Sequence, residues 1–299
     1  MKRIQLLLLF GLFAASSCTK QEIIYQNEHV NVVIEDNEAP PYSGITTIQI
    51  EGYVNRMYID LLGREPNLAE RTEIVNALKN ENLSAAIRTT VLTQLMSTPE
   101  YYDRFYTIYS DALLDGVLEI EVNNFATIFT NLYNQAVANG ETTLAQIYLD
   151  LVTGLTDLLN AKQDYADGLI SVNAFLARMV NNFIYDEINM GSENFVIACF
   201  EGLFNRQPTE TELESGITMV DGFSAQLLLK DGNTKDDFVE IMTTVPEFYQ
   251  GLVIDIYLQL LSRQPDSQEM GNGTITLSQN SDYQAVQRSV MITDEYAGF

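Results

Sequence analysis

The chain has 299 residues, with 41 acidic and 16 basic side chains, one histidine, two cysteines and no tryptophan. A net charge of −25 excludes proteins that bind nucleic acid through clustered lysine and arginine. The single histidine, His29, excludes a histidine-based catalytic triad and a multi-histidine metal site. Two cysteines cannot build a disulfide framework. With 46% apolar residues the chain can form a substantial core, and we expect no metal and no other cofactor.

The first 18 residues are typical of an exported protein. Basic Lys2 and Arg3 precede an apolar run that ends at Phe13 and is shorter than the roughly 20 residues of a membrane-spanning helix. The following 15–18 stretch, Ala-Ser-Ser-Cys, resembles a bacterial lipobox. This resemblance implies that residues 1–17 are a signal peptide and that Cys18 is lipidated as the mature N-terminus. An ordinary signal peptide with an incidental cysteine is the alternative.

The residue after the cysteine bears on the destination of the protein. It is Thr19 rather than aspartate, which by the same resemblance favours the outer membrane, on its periplasmic or its cell-surface face. Two or three acyl chains would anchor the protein stably. Residues 18–46 are mostly polar and predict a flexible tether, although the β-prone stretch 30–34 could instead form an edge strand.

From residue 47 onward the apolar residues recur at helical spacing, and no stretch alternates as a strand would. The sequence therefore predicts an all-α body. Within it, residues 57–66, 199–208 and 256–265 match one another, and each match ends in Arg-x-Pro. A capping box follows every proline, with its polar residue at Asn67, Thr209 or Asp266 and its glutamate three residues later. Each copy thus predicts a helix, a tight corner and a second helix.

A second half-motif follows each corner and sets the domain boundaries. Residues 95–102 resemble 241–249 and, more weakly, 291–296, and they predict a helix that begins with Pro-Glu-Tyr or a variant of it. The interpretation is a first repeat at 47–106, a helical insertion at 107–170, and the second and third repeats at 171–299. Residues 160–168 are predicted to form a polar loop. Residues 171–185 are predicted to be a degenerate copy of the second half-motif.

These two half-motifs resemble a helical repeat family of secreted and surface-layer bacterial proteins whose function is unknown. The pattern of that family is roughly Leu-Tyr-x-x-x-Leu-Gly-Arg-x-Pro-Asp followed by Ser-Pro-Glu-Tyr. Residues 168–208 also resemble the helical phycobilisome-linker domain. The resemblance covers about half of the mature chain and implies a helical interaction module without catalytic residues.

One arginine recurs at every corner of a chain that has few basic residues. We predict that Arg64, Arg206 and Arg263 each bind a carboxylate at the start of the later helix, which makes Glu100, Glu247 and Glu295 the candidate partners. Each pair would then fasten a corner to the following half-motif. The alternative is that the three arginines bind anions.

The sequence offers little for catalysis. Cys199 falls on an apolar helical face and is predicted to be a packing thiol. Residues 222–226, Gly-Phe-Ser-Ala-Gln, lack the final glycine of a nucleophile elbow. The acidic segment 231–237 lacks the ligand spacing of a calcium loop, so a solvated loop with Thr234 as a helix cap is the simpler interpretation, with calcium binding as the alternative. The tyrosines mostly lie on apolar helical faces, which favours core packing over glycan binding.

The leading hypothesis is a non-enzymatic, lipid-anchored cell-envelope protein that acts as a helical scaffold or protein-interaction subunit at the outer membrane. Its partners would be the membrane, through the N-terminal lipid, and an envelope protein. The alternative is a surface glycan- or peptide-binding accessory lipoprotein of an uptake complex. A third hypothesis is a hydrolase with paired carboxylates, which requires a pocket where two carboxylates converge and a pKa is shifted.

Overall fold

The computed structural model describes residues 44–299, so Cys18, His29 and the stretch 30–34 lie outside the described residues. Over these residues the chain is all-α, and its only sheet is one two-stranded hairpin. The elements, in chain order, are α1 (Thr47–Leu62), α2 (Leu68–Asn80), α3 (Ala85–Met96), α4 (Pro99–Leu113), α5 (Glu119–Asn139), α6 (Thr142–Ala166), α7 (Val172–Val180), α8 (Phe183–Ile188), α9 (Ser192–Phe204), α10 (Glu210–Val220), β1 (Ala225–Leu227), β2 (Lys230–Gly232), α11 (Lys235–Thr244), α12 (Pro246–Leu261), α13 (Ser267–Asn280), α14 (Tyr283–Met291) and α15 (Asp294–Ala297).

The predicted helix starts follow from local capping chemistry. Asn67, Thr209 and Asp266 are the N-caps of α2, α10 and α13, and each forms a complete capping box with the glutamate three residues later. Thr98 is the N-cap residue of α4, but its side chain accepts no hydrogen bond from the first turn of that helix. Its hydroxyl donates instead to the carbonyl of Leu95, 2.7 Å away, so the hydroxyl is engaged with the preceding turn.

Three segments of the body have the same order of elements, namely a helix, an Arg-x-Pro corner and a second helix. Helices α1, α9 and α12 each lead into an Arg-x-Pro corner, and α2, α10 and α13 follow these corners. The second and third segments share α12, because this helix starts with the Pro-Glu-Phe half-motif and ends at the third corner. Helix α3 packs against α14, and α7 packs against α11. The segments therefore pack on one another through their later helices.

The predicted degenerate copy at 171–185 forms α7 and the start of α8. Phe175, Leu176, Met179 and Val180 are buried, as their spacing predicts. Asn182 caps α8 by accepting the backbone N–H of Tyr185 at 3.1 Å. The chain then leaves the helix at residues 189–191 before α9 begins.

The insertion is a long helical hairpin of α5 and α6, which packs on α4, α7 and α8. The prediction of a polar loop at 160–168 is wrong, because α6 continues to Ala166. Ala161 is buried, and the ring of Tyr165 stacks on Phe105 with centroids 4.9 Å apart. These two residues extend the apolar face of α6 by a turn, and burial of this face stabilises the helix there.

The β-hairpin was not predicted. Its strands have three residues each, and the two turn residues Leu228 and Leu229 both have positive φ angles, 49° and 66°. Asp231 belongs to the second strand, whereas Thr234 caps α11 as predicted. Residues 231–237 therefore form a strand end and a helix start rather than an ion-binding loop.

Helix α15 lies against α1, so the end of the body contacts its beginning. Arg56 donates to the carbonyl of Tyr296 at 2.7 Å, and the Tyr296 hydroxyl donates to Asp60 at 2.7 Å. The hydroxyl of Tyr53 donates to the carbonyl of Met291 at 2.9 Å. A single apolar core runs from α1 to α15.

Candidate functional site

Each Arg-x-Pro corner begins with a residue in the left-handed conformation. These residues are Gly63, Asn205 and Ser262, with φ angles of 73°, 58° and 54°. A left-handed residue ends a helix and redirects the chain. The corner arginine follows at once, and the proline then precedes the cap of the next helix. The three corners therefore share one backbone conformation although their left-handed residues differ.

The predicted arginine–glutamate pairs are present at all three corners. Arg64 lies 2.9 Å from Glu100, and Arg263 lies 2.7 Å from Glu295. Arg206 donates to both carboxylate oxygens of Glu247 through Nε and Nη2. Each pair joins a corner to the first turn of α4, α15 or α12.

A second carboxylate at each corner was not anticipated. The capping-box glutamates also accept two hydrogen bonds from the arginine, at distances of 2.7 to 2.9 Å; they are Glu70, Glu212 and Glu269. The same carboxylates accept the backbone N–H of the N-cap residue. The sequence does contain a signal for this contact, because arginine and glutamate are six residues apart in every copy.

An aromatic ring lies under each guanidinium group. The guanidinium carbons of Arg64, Arg206 and Arg263 are 5.2, 4.9 and 5.3 Å from ring centroids six residues earlier in the chain. The rings belong to Tyr58, Phe200 and Tyr257. At these distances the ring faces attract the cation. The sequence analysis missed this contact as well.

The donors of Arg206 are fully used within the protein. Its five N–H groups reach Glu212, Glu247 and the backbone carbonyl of Gln207. Hydrogen bonds to the two glutamates raise the pKa of this arginine. A guanidinium group with no free donor cannot also bind an external anion, so the geometry favours a structural role over the anion-binding alternative.

Acid should weaken the second corner through Glu212, whose side chain is only 17% exposed. Hydrogen bonds from Arg206 lower the pKa of Glu212 to about 2 from an ordinary value of 4.5. Because the folded state prefers the ionised form, this stabilisation is complete above about pH 4.5 and is lost as the pH falls toward 2. It amounts to at most about 3 kcal/mol.

We therefore expect Glu212→Gln to be less stable than the wild type at pH 6, and the difference to shrink at pH 3. Urea denaturation followed by circular dichroism at pH 6, 4.5 and 3 measures this. A difference in unfolding free energy that stays constant over this range would contradict the assignment.

A groove with apolar walls and an acidic rim, which we call the apolar groove, lies away from the three corners. It has a volume of about 360 Å³ and lies between the α4–α5 connection, the start of α5 and α8. Its walls are formed by Val117, Phe125, Phe183, Ile184 and Ile188, and its rim by Asp115, Glu121 and Glu187.

Other apolar side chains are exposed on the hairpin of α5 and α6 and on the connection that leads into it. Beside the groove, Leu118 and Ile120 are each 62% exposed. Further along the hairpin the exposed residues are Ile128, Val137, Leu144, Ile147 and Leu149. No part of the described chain covers these side chains, and those beside the groove, Leu118 and Ile120, enlarge its apolar surface.

Residues 44–299 contain neither a reactive thiol nor a cluster of metal-ligating side chains. The thiol of Cys199 is fully buried, and burial raises its pKa to about 12, so it is a packing residue as predicted. No group of three or more metal-ligating side chains is found in the described part of the chain. Every tyrosine in this part is buried or half-buried, which leaves no exposed tyrosine platform for a glycan.

Two further observations concern the membrane and known proteins. Within residues 44–299, none of the helices has the length and apolarity needed to cross a bilayer. Comparison of the chain with protein-family models, with curated proteins and with solved protein structures finds no match.

Proposed function

We propose that the protein is a non-enzymatic, lipid-anchored cell-envelope protein that acts as a protein-interaction subunit at the outer membrane. The signal-like start of the chain and Cys18 support the anchor. The resemblance to a surface-layer repeat family, based on the Arg-x-Pro and Pro-Glu-Tyr motifs, supports an envelope location. The observation that supports the interaction role is the apolar groove with the exposed apolar residues beside it.

The chemistry of the groove defines the kind of partner. Its walls would take aliphatic or aromatic side chains, and their burial is favourable by roughly 25 cal/mol per Å². Its rim carries carboxylates, among them Glu187, which is exposed on α8. Opposite charges across an interface speed association and select partners. The partner would therefore present an apolar segment flanked by lysine or arginine.

The alternative of a glycan-binding accessory lipoprotein has less support, because the described tyrosines are packed inside the body. A peptide-binding accessory lipoprotein would use the same groove and is one form of the proposed interaction.

The proposal can be tested with the full chain in a Gram-negative host. Cross-linking in cells, detergent solubilisation and affinity purification should recover a partner with the wild type. A double variant, Glu187→Lys with Ile188→Lys, should lose it, because both side chains are exposed on α8 beside the groove. In parallel, Cys18→Ser should move the protein from the membrane fraction to the soluble fraction.

The control is Leu68→Lys, which changes an apolar residue at the start of α2, outside the groove, that is even more exposed than Ile188. It should retain the partner. Recovery of the same partner by the double variant would refute the groove, and reproducible recovery of the wild type alone would refute the interaction role. A Cys18→Ser protein that stays in the membrane fraction would refute the anchor.

A further inference from the structure

A separate cleft of about 330 Å³ opens between α4, α9, α12 and α14. It shares no lining residue with the apolar groove. Aliphatic side chains of Ile108, Leu113 and Leu258 form its walls, and no arginine, lysine or histidine of the described residues lines it. This volume is at the small end of the range for ligand pockets, so a compact ligand would fill it.

The polar centre of the cleft is Asp255 on α12. Asn205 donates to its carboxylate through Nδ2 at 2.8 Å. Burial raises the pKa of Asp255 to about 6. The hydrogen bond from Asn205 lowers this pKa by a smaller amount, and no basic side chain contributes. At neutral pH the group is therefore an ionised carboxylate in a largely apolar cleft, without a cation to pair with. Such a charge costs folding stability.

The fold does not need a carboxylate at this position. Counting eight residues back from the corner arginine gives Asp255 in α12, Arg56 in α1 and Ala198 in α9. The three corner helices thus form equally well with an acid, a base or a methyl group there. A costly group that the architecture does not require is a candidate for binding.

The other titratable groups around Asp255 leave the cleft negative. Tyr109 of α4 donates to the hydroxyl of Tyr283 of α14 at 3.4 Å, and burial raises the pKa of both, so they stay neutral. Glu201 of α9 also lines the cleft and is exposed to solvent. A ligand that suits these walls has a positive head and a short apolar body.

We propose that this cleft binds an alkylammonium group, with the ammonium on the carboxylate of Asp255 and the alkyl chain along Ile108, Leu113 and Leu258. The group could belong to a free amine or to a lysine side chain, and the two sources share this chemistry. Binding would supply the cation that Asp255 lacks.

Isothermal titration of the full chain with butylammonium chloride at pH 7.5 tests the proposal. We expect saturable binding of one equivalent, and no binding of 1-butanol, the neutral molecule with the same number of heavy atoms. Asp255→Asn should weaken binding about 10- to 100-fold, which corresponds to the loss of a hydrogen bond between charged groups. Titration with N-acetyl-lysine methylamide separates the sources: binding assigns the site to a lysine side chain, and its absence to a free amine.

Two variants separate binding from folding. Asp255→Asn should have a thermal midpoint at pH 7.5 no lower than the wild type, because it removes the costly charge. Ala112→Phe should block the cleft while leaving Asp255 in place, since Ala112 is an exposed lining residue. The control Glu81→Gln removes an exposed carboxylate elsewhere and should bind as the wild type does.

The pH dependence gives an independent reading. Affinity should fall between pH 7.5 and 5 as Asp255 takes up a proton, because an alkyl amine with a pKa of about 10.4 stays charged throughout. The proposal would be overturned if butylammonium at about 10 mM, a concentration that saturates a site with a Kd of about 1 mM, did not saturate the wild type. Equal binding by the wild type and both cleft variants would overturn it too. Neither result would affect the apolar groove.

Discussion

Replacing Gly251 by alanine should destabilise the protein by about 2 to 3 kcal/mol or more, the upper part of the range for overpacking. A Cβ atom at this position would stand 2.1 Å from the carbonyl oxygen of Leu203 and 3.2 Å from Cα of Phe204. Both contacts are backbone atoms at the end of α9, so no side-chain rotation relieves them. Helices α9 and α12 would have to separate where the second corner packs. Urea denaturation followed by circular dichroism measures the effect.

The chain provides a matched control for this variant. Gly52 lies twelve residues before Arg64, as Gly251 lies twelve residues before Arg263, and a Cβ at Gly52 would meet nothing within 4 Å. Gly52→Ala should therefore stabilise α1 by about 0.5 to 1 kcal/mol through helix propensity alone. Equal stabilities of the two alanine variants would show that the close approach of α9 and α12 is not part of the fold.

Arg206→Ala should cost about 2 to 3 kcal/mol, between the values for exposed and for buried ion pairs. The variant loses four hydrogen bonds to Glu212 and Glu247 and the contact with the ring of Phe200. The side chains of Glu212 and Glu247 are only 17% and 30% exposed, so water cannot fully hydrate the two carboxylates once the arginine is gone. Arg206→Lys should recover only part of the loss, because an ammonium group cannot pair with both carboxylates bidentately.

Two comparisons make this prediction specific. Lys162→Ala removes an ion pair with Asp103 whose side chains are 40% and 59% exposed, and it should change stability by less than about 0.5 kcal/mol. Adding Glu247→Gln to Arg206→Ala should recover part of the loss by removing one unpaired charge. If Arg206→Ala unfolds at the same urea concentration as the wild type, the arginine does not fasten the corner.

The helices and corners could be predicted because their signals are local. Asn67, Thr209 and Asp266 each stand next to the helix they cap, and their glutamates follow at fixed spacing. The pairs with Glu100, Glu247 and Glu295 span more of the chain, and repetition in three copies made them predictable. The capping-box glutamates were overlooked as arginine partners because the capping role already explained them.

The other misses have physical causes too. Strands of three residues are too short to show an alternating pattern, so the hairpin at 225–232 had no signature. Polar residues at 160–168 suggested a loop, but Ala161 and Tyr165 are enough to hold the last turn of α6 on the core. Periodicity shows which residues share a face and not whether another helix covers it. For this reason the exposure of Ile128 and Ile147 could not be foreseen.

The contact between α15 and α1 has a consequence for how the chain acquires its structure. The hydrogen bond from Arg56 to Tyr296 joins residues 240 positions apart, and Arg88 of α3 reaches Asp294 across 206 positions. Contacts between residues so far apart in the chain form late, and they make folding slower. During synthesis, the part of the α1 surface that α15 covers stays exposed until the last residues of the chain emerge. Until then Tyr53, which contacts Met291 and Tyr296 in the folded protein, is exposed, and exposed apolar surface of this kind favours aggregation.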